Sequence, residues 1–247
     1  MNIMVFGVGN WDTRSDADEQ RSNYKEWHSR LCHYMGNPKE VFITPGSYSN
    51  PDYCPISDTK VVQIGIQKTK QYSSLWSYFR VGFFTGIYHA LLNPGWDLLV
   101  HCQTRMLLGT DMVPHLKEFL NRPEQIMAPK WTSTNGTQIE VALLAMKPDA
   151  VRKYATSTLR SSLIEKTEKQ YSLNSEHECL LMFSDEWYNP FPEVFSTRKM
   201  SVGYTGDGDR DFELDMSTFL KLPFISGNRH CSKEDLKLWC EMHPIDK

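Results

Sequence analysis

The chain has 247 residues, with 27 basic and 30 acidic side chains and a formal net charge of −3 at pH 7. This length suits one large domain and no stretch has the composition of a linker, so residues 1–247 are predicted to form a single domain. Because the numbers of basic and acidic side chains are nearly equal, the protein lacks the strongly positive electrostatic field that favours nucleic-acid binding. No apolar run approaches the ~20 residues of a membrane span, so neither nucleic acid nor a bilayer is an expected partner.

The N-terminus and the cysteines indicate the expected compartment. The first residues, from Met1 to Gly7, lack the basic start and long apolar centre of a secretory signal. The six cysteines are scattered without a CxxC pair, and a chain of this length can build a core without disulfides. The sequence therefore predicts a cytoplasmic protein with reduced thiols.

Short apolar runs alternate with amphipathic segments over the first two thirds of the chain. The first predicted strand, at 3–6, is closed by Gly7-Val8-Gly9 as a tight loop, and a helix follows from a Ser15 N-cap to Gly36. The next predicted elements are strands at 41–44 and 61–66, a helix at 75–92, a strand at 96–102 and a helix at 114–120. Two further strands, at 125–128 and 139–145, are joined by a predicted turn at 131–136. This alternation predicts an α/β domain with one mostly parallel or mixed sheet flanked by helices.

The predicted helix at 75–92 carries two different rows of side chains. Phe79, Phe83 and Ile87 form a bulky ridge, and a row of Gly82, Gly86 and Ala90 runs beside it. Because small residues let a helix approach its neighbour closely, we expect the flat row to pack against the sheet.

The last third of the chain is less regular. A helix is predicted from Pro148 to about Tyr171, because proline suits the first helical position. Residues 176–208 mix aromatics, prolines and charges, which predicts a long loop. Ser232, with Asp235 three residues on, predicts the N-cap of a final helix through Trp239.

The most apolar predicted strand ends at Cys102 and is followed by Gln103-Thr104-Arg105 and another apolar run. This segment and its neighbouring helices resemble the GT-A glycosyltransferases, in which the strand ends in an Asp-x-Asp motif that holds a divalent metal on the donor diphosphate. Gln103 and Arg105 stand where the aspartates would fall. A Mn²⁺ or Mg²⁺ ion is thus implied by the resemblance, but its usual motif is absent and no metal ligand is assigned.

An arginine can perform part of the metal's task, because its guanidinium fork neutralises and bidentately binds phosphate oxygens. Arg105 is therefore expected to contact a diphosphate directly, and a solvated charge at a strand end is the alternative. The resemblance implies a nucleoside-diphosphate-sugar donor and a glycan or protein hydroxyl as acceptor. Open α/β sheets bind ligands at the carboxyl ends of their strands. The implied donor contacts are Asn10, Trp11 and Arg14 for the base and ribose, and Arg80, Gln103 and Arg105 for the phosphates.

Two later segments complete the implied site. An inverting enzyme needs a carboxylate to take the proton of the acceptor hydroxyl, and Glu176, Glu178 or Asp185 would serve. The alternative is that these carboxylates only form a solvated edge of the domain. Residues 224–230 resemble a segment that closes over the donor phosphates, where Arg229 and His230 would supply positive charge. A capped loop before the final helix explains the same residues without a function.

Two other functions stay open. A non-catalytic nucleotide- or carbohydrate-binding module of the same fold would explain the missing metal carboxylates. An α/β enzyme acting on a phosphorylated metabolite is the third alternative, although the chain has neither a Walker loop nor a Gly-x-Ser-x-Gly elbow. A dinucleotide cofactor site is not predicted, since Gly7-Val8-Gly9 lacks the third glycine of that fingerprint.

Overall fold

The computed structural model describes residues 1–9, 17–45, 60–61, 75–104, 106–133, 136–164, 183–191, 199–202, 210–226 and 232–245. Within these ranges the chain forms strands, helices and one 3-10 turn. In chain order they are β1 (Ile3–Gly9), α1 (Ala17–Tyr34), β2 (Glu40–Pro45), β3 (Lys60–Val61), α2 (Leu75–Leu92), β4 (Leu98–Cys102), β5 (Met106–Leu108), α3 (Val113–Leu120), β6 (Ile126–Met127), β7 (Lys130–Ser133), β8 (Gly136–Ile139), β9 (Leu143–Met146), α4 (Pro148–Ile164), a 3-10 turn (Ser184–Glu186), β10 (Trp187–Tyr188), β11 (Lys199–Val202), β12 (Arg210–Glu213), α5 (Met216–Phe219), β13 (Phe224–Ser226) and α6 (Lys233–Met242).

Seven of the described strands form one sheet in the order β10-β6-β9-β4-β1-β2-β3. β1 pairs in parallel with both β2 and β4, and β2 pairs in parallel with β3. β9 runs antiparallel between β4 and β6, and β10 pairs in parallel with β6 at the edge. The predicted mostly parallel or mixed sheet is confirmed. Three smaller pairs stand beside it, β5 with β13, β7 with β8, and β11 with β12.

Each face of the sheet carries its own hydrophobic core, because alternate residues of a strand point to opposite faces. Ile3 and Val5 of β1 lie in the core that α1, α3 and α6 cover, with Trp27 and Trp239 fully buried there. Met4, Phe6 and Val8 of the same strand lie in the opposite core, covered by α2 and α4. The predicted layer of helices on each side of the sheet is confirmed, and none of the described helices is long and apolar enough to cross a bilayer.

The predicted helix at 75–92 is confirmed as α2, and its small residues pack as expected. Gly86 lies directly on the ring of Phe6 in β1, where a Cβ atom would come within 2.2 Å of the ring. Gly82 and Ala90 are buried on the same helix. The flat row therefore lets α2 lie closely on the sheet.

Several predicted helix ends are also confirmed. α1 ends at Tyr34, and Gly36 and Asn37 then take left-handed backbone conformations with φ of 69° and 52°. Ser232 Oγ accepts a hydrogen bond from Asp235 N at 3.0 Å and caps α6 as predicted. The predicted Ser15 cap and the end of the helix after Pro148 lie outside the described residues, which follow α4 as far as Ile164.

The prediction that Gly7-Val8-Gly9 closes β1 as a tight loop is wrong, because β1 continues to Gly9 and pairs with β2 over its whole end. A Cβ atom at Gly7 would lie 2.9 Å from Thr104 Cγ2 and 3.0 Å from the Trp27 ring. Gly7 thus serves close packing inside the sheet. The glycine marks a crowded strand position, and a sequence pattern does not distinguish that from a turn.

The predicted turn at 131–136 is wrong over 131–133 and at 136, where β7 and β8 pair as antiparallel strands, and residues 134–135 lie outside the described residues. The predicted strand at 139–145 is divided between β8 and β9 by a turn in which Glu140 Oε1 accepts a hydrogen bond from Ala142 N at 2.9 Å. The region 176–208, predicted as a loop, contains β10 and β11 in its described part. Each of these strands is short and is stabilised by hydrogen bonds to a partner strand, and the periodicity of a local sequence pattern does not reveal that partner.

Candidate functional site

The strand order defines a switch point in the sheet. From β1 the chain passes to β2 and β3 on one side, and it then returns through α2 to β4 on the other side of β1. In open α/β sheets, ligands bind outside the carboxyl ends of the strands at such a point. The candidate site therefore lies where β1 ends at Gly9 and β4 ends at Cys102.

Thr104 joins these two strand ends. Its hydroxyl donates a hydrogen bond to the carbonyl oxygen of Val8 at 3.2 Å, and its side chain is buried. Its methyl group packs beside Gly7, at the position where a Cβ on that glycine would clash. The middle residue of the Gln103-Thr104-Arg105 segment thus closes the gap between β1 and β4, a contact that local sequence patterns did not reveal.

The backbone on both sides of position 105 is fixed. Gln103 N donates to Ala142 O at 2.8 Å, and Met106 N donates to Gln103 O at 2.7 Å. The half-buried Gln103 therefore lies at the carboxyl end of β4, as predicted. The next strand, β5, begins at Met106.

The pairing of β5 with β13 brings a distant part of the chain to this place. Ser226, the last residue of β13, pairs with Met106, the first residue of β5. The residue before Met106 is Arg105, and the segment after Ser226 contains Arg229 and His230. Two segments that sequence analysis treated separately are therefore connected to neighbouring ends of one strand pair.

Arg80 lies on the second turn of α2. The end of α2 is joined to the start of β4 by residues 93–97, so the beginning of α2 points toward the carboxyl edge of the sheet. Arg80 precedes Gly86 by six residues, which is about 9 Å along the axis in that direction. The helix thus places the Arg80 backbone on the same side as the ends of β1 and β4.

Asp185 lies at the opposite edge. β10 runs in the same direction as β4, because β6 and β4 are both antiparallel to β9 and β10 is parallel to β6. The exposed Asp185 precedes β10, so it lies at the amino edge of the sheet. Its neighbour Glu186 forms an ion pair there, with Lys153 Nζ donating to Glu186 Oε1 at 2.6 Å. The structure does not bring Asp185 together with Gln103.

The remaining predicted residues lie outside the described part of the chain. They are Asn10, Trp11, Arg14, Arg105, Glu176, Glu178, Arg229 and His230.

The residues at the end of β4 do not fit a divalent metal ion. Gln103 offers one neutral amide oxygen, the Thr104 hydroxyl is engaged as a hydrogen-bond donor to the Val8 carbonyl oxygen, and Arg105 is itself a cation. Mg²⁺ and Mn²⁺ prefer carboxylate oxygens. Among the described residues, no three His, Cys, Asp or Glu side chains form a group that could hold a metal.

His101 and Cys102 are the last two residues of β4, and their side chains are buried. Burial raises the pKa of the Cys102 thiol to about 12, which disfavours the reactive thiolate at neutral pH. His101 is fully buried against the rings of Phe6 and Phe83, and its Nδ1 atom forms a hydrogen bond with the carbonyl of Val141. The two buried side chains therefore anchor the end of β4 in the hydrophobic cores.

No protein-family model and no curated protein sequence matches the chain. Solved structures do. The glycosyltransferase GlyE of Streptococcus pneumoniae TIGR4 matches with a TM-score of 0.51 at 11% identity, over 99% of this chain and 60% of GlyE, so the chain spans less than two thirds of that protein.

Two further structures match over nearly their whole length. An active-site mutant of LgtC has a TM-score of 0.51 at 9% identity, over 98% of this chain and 95% of its own. A glycosyltransferase involved in the glycosylation of the major capsid of PBCV-1 has a TM-score of 0.50 at 9% identity, over 98% of both chains. These structural neighbours are glycosyltransferases, and the chain has the GT-A-like fold.

Proposed function

We propose that this protein is a glycosyltransferase that moves a sugar from a nucleoside-diphosphate-sugar donor to a hydroxyl group of a glycan or protein. The observation that carries the proposal is the junction of β1 and β4 at the switch point of a GT-A-like sheet, where the Thr104 hydroxyl donates a hydrogen bond to the Val8 carbonyl oxygen. Gln103 and Arg105 flank Thr104 in the sequence. Ligands of open α/β sheets bind at this kind of junction.

The donor would lie across the carboxyl edge of the sheet. Asn10, Trp11 and Arg14 follow the end of β1 in the chain and are proposed to contact the base and ribose. Arg80 and Gln103 are proposed to contact the phosphates, which is supported by their positions on α2 and at the end of β4. Arg229 and His230 follow β13, whose pairing with β5 supports a place for them beside Arg105.

Arg105 is proposed to bind the diphosphate without a metal ion. During transfer, negative charge develops on the leaving diphosphate, and a guanidinium placed beside it stabilises that charge through bidentate hydrogen bonds. The donor set at the end of β4, an amide and an arginine, suits an anion better than a cation. Donor binding that persists in EDTA is therefore expected.

The acceptor hydroxyl must lose a proton as it attacks the sugar, and a carboxylate is the base that an inverting enzyme uses. Glu176 and Glu178 are proposed for this role. Asp185 was an equal candidate on sequence grounds, but its position at the amino edge places it away from the ends of β1 and β4. The proposal therefore rests on the two glutamates.

Thermal unfolding with UDP, GDP, CDP and ADP, each with EDTA or Mn²⁺, tests the donor site. A ligand that binds only the folded state raises Tm, and at 100 times its Kd the stabilisation is about 2.7 kcal/mol. One diphosphate should raise Tm in EDTA, and Arg105→Ala should abolish that shift. Arg152→Ala is the matched control, because Arg152 is exposed on α4 and pairs with Asp149. A shift that requires Mn²⁺, or no shift with any nucleotide, would contradict the proposed donor site.

A non-catalytic nucleotide- or carbohydrate-binding module is the second candidate, favoured by the replacement of the metal carboxylates with Gln103 and Arg105. The two candidates differ in turnover. A transferase consumes its nucleotide sugar, by transfer or slow hydrolysis, whereas a binding module is only stabilised by it. The nucleotide sugars of the diphosphate that raises Tm are incubated with the protein, and release of free nucleoside diphosphate, detected by chromatography, decides between the two candidates.

A further inference from the structure

Glu140 is a half-buried glutamate in the turn between β8 and β9. Its Oε1 atom accepts a hydrogen bond from Ala142 N at 2.9 Å. Its own backbone N–H donates to the carbonyl oxygen of Pro129 at 3.0 Å, just before β7 begins. The first hydrogen bond orients the carboxylate, and the second fixes the backbone of the turn.

The turn that contains Glu140 lies at the carboxyl end of β4. β9 runs antiparallel to β4, with Leu143 opposite Cys102, so the start of β9 lies beside the end of β4. Gln103 N donates to Ala142 O at 2.8 Å, which extends this pairing into the turn itself. Because paired strands lie about 4.8 Å apart, the turn is one strand spacing from Gln103.

Three other carboxylate residues of the described strands and their flanks lie at the opposite edge of the sheet. Glu40 begins β2, Asp97 precedes β4 and Glu124 precedes β6, and these three strands run in the same direction. They are therefore at the amino edge, as Asp185 is. Glu140 differs because it precedes β9, which runs the other way, so its negative charge is at the edge where β1 and β4 end.

We propose that Glu140 is a catalytic residue whose carboxylate stabilises the positive charge that develops on the transferred sugar. This inference rests on the proposed function, in which Gln103 contacts the donor diphosphate. The sugar is bonded to that diphosphate through its anomeric carbon, so it lies next to the residues that contact the phosphates. A carboxylate one strand spacing from Gln103 is placed to face it.

In the transfer step, the bond between the anomeric carbon and the diphosphate oxygen breaks, and its electron pair leaves with the diphosphate. The sugar becomes oxocarbenium-like, with positive charge on the anomeric carbon and the ring oxygen. The acceptor oxygen then bonds to the anomeric carbon, and its proton passes to the general base. Glu140 stays ionised and forms no covalent bond. Its charge is effective because Ala142 N orients the carboxylate before the reaction begins.

The test compares Glu140→Gln and Glu140→Ala with the wild type. Glutamine keeps an oxygen that accepts from Ala142 N and removes the charge, whereas alanine removes both. The matched control is Glu124→Gln, because Glu124 is also half-buried but lies at the amino edge, bonded to Arg122. The probes are UDP-glucose, GDP-mannose, CDP-glucose and ADP-glucose, with water as the acceptor. The rate of nucleoside diphosphate release, the Kd of the nucleoside diphosphate and Tm are measured for each protein.

Glu140→Gln should lower kcat by about 10²–10³ at a nearly unchanged Tm, which is the usual loss when one group that stabilises transition-state charge is removed. Its Kd for the nucleoside diphosphate should not rise, because the substitution takes a negative charge away from the phosphates. Glu124→Gln should leave kcat unchanged.

If Glu140 only stabilised the turn, Glu140→Gln would be as active as the wild type and only Glu140→Ala would be impaired, and that result would overturn the inference. A rise in Kd as large as the fall in kcat would also overturn it, because Glu140 would then act in donor binding. Release of nucleoside diphosphate by the wild type separates both results from a failure of the proposed function. If the wild type releases it from none of the four donors, the proposed function fails and the inference fails with it.

Discussion

Gly86 of α2 lies so close to Phe6 of β1 that a Cβ atom would come within 2.2 Å of ring atom Cδ2 and 2.3 Å of Cε2. Phe6 is fully buried and has little freedom to move, since its ring also packs on Phe42, Phe83 and His101. Glycine is therefore required here for helix α2 to reach the sheet.

Gly86→Ala should lower the free energy of unfolding by about 1–3 kcal/mol, as overpacked core substitutions do. Alanine favours a helix over glycine by about 1 kcal/mol, so a stabilised variant would show that the contact is looser than described. Urea unfolding measures the change. In a Phe6→Leu background the same substitution should cost less, because the smaller side chain leaves room, and equal costs in both backgrounds would argue against this contact.

This contact illustrates how far local sequence patterns reach. The row of Gly82, Gly86 and Ala90 predicted a closely packed helix face, because helical periodicity is a local property that the sequence displays directly. Its partner Phe6 lies far away in the chain, and no local pattern identifies it. The same reasoning explains why the sequence predicts the Ser232 cap correctly and does not predict the pairing of β7 with β8.

Thr104→Val should weaken the junction of β1 and β4. Valine keeps the shape and removes the donor, so the buried carbonyl of Val8 loses the hydrogen bond from Thr104 at a cost of about 1–3 kcal/mol. Thr104→Ser keeps the hydroxyl and should retain that hydrogen bond. Urea unfolding of the two variants provides the comparison. If Thr104→Val were as stable as the wild type while Thr104→Ser were destabilised, the methyl group would be the important part of this side chain.

The site itself was only partly accessible from sequence. The resemblance to the GT-A glycosyltransferases at the end of the apolar strand suggested Gln103 and Arg105, and the structure places Gln103 at the end of β4. The role of Thr104 depends on β1 being its neighbour, and the link from Ser226 to Met106 depends on an antiparallel pair between distant segments. Both are tertiary relationships that depend on strand order.

Cys102 should resist alkylation in the folded protein. Burial raises the pKa of its thiol to about 12, so at pH 8 only about one molecule in ten thousand carries the reactive thiolate. Iodoacetamide treatment followed by peptide mass spectrometry should leave Cys102 unmodified until urea unfolds the chain. The pKa values of Cys32 and Cys240 are raised by the same cause, but both side chains are only half-buried and should be modified earlier. Rapid modification of Cys102 in buffer would show that the β4 end opens.

Substitutions of the three acidic candidates for the acceptor base should differ in their effect on the rate of sugar transfer. Asp185 precedes β10 at the amino edge, so Asp185→Asn should leave the rate of sugar transfer unchanged, like the control Asp149→Asn on the exposed start of α4. Glu176→Gln or Glu178→Gln should lower kcat by about 10²–10⁴, the usual contribution of a general base, with little change in donor affinity.

The measurement is the rate of nucleoside diphosphate release in the presence of acceptor, with Tm recorded for each variant to confirm folding. A fall in kcat confined to Asp185→Asn would place the acceptor at the amino edge of the sheet, which is incompatible with a donor at the ends of β1 and β4. Unchanged rates in both glutamate variants would mean that neither side chain takes the acceptor proton, and the base would then have to come from another part of the chain.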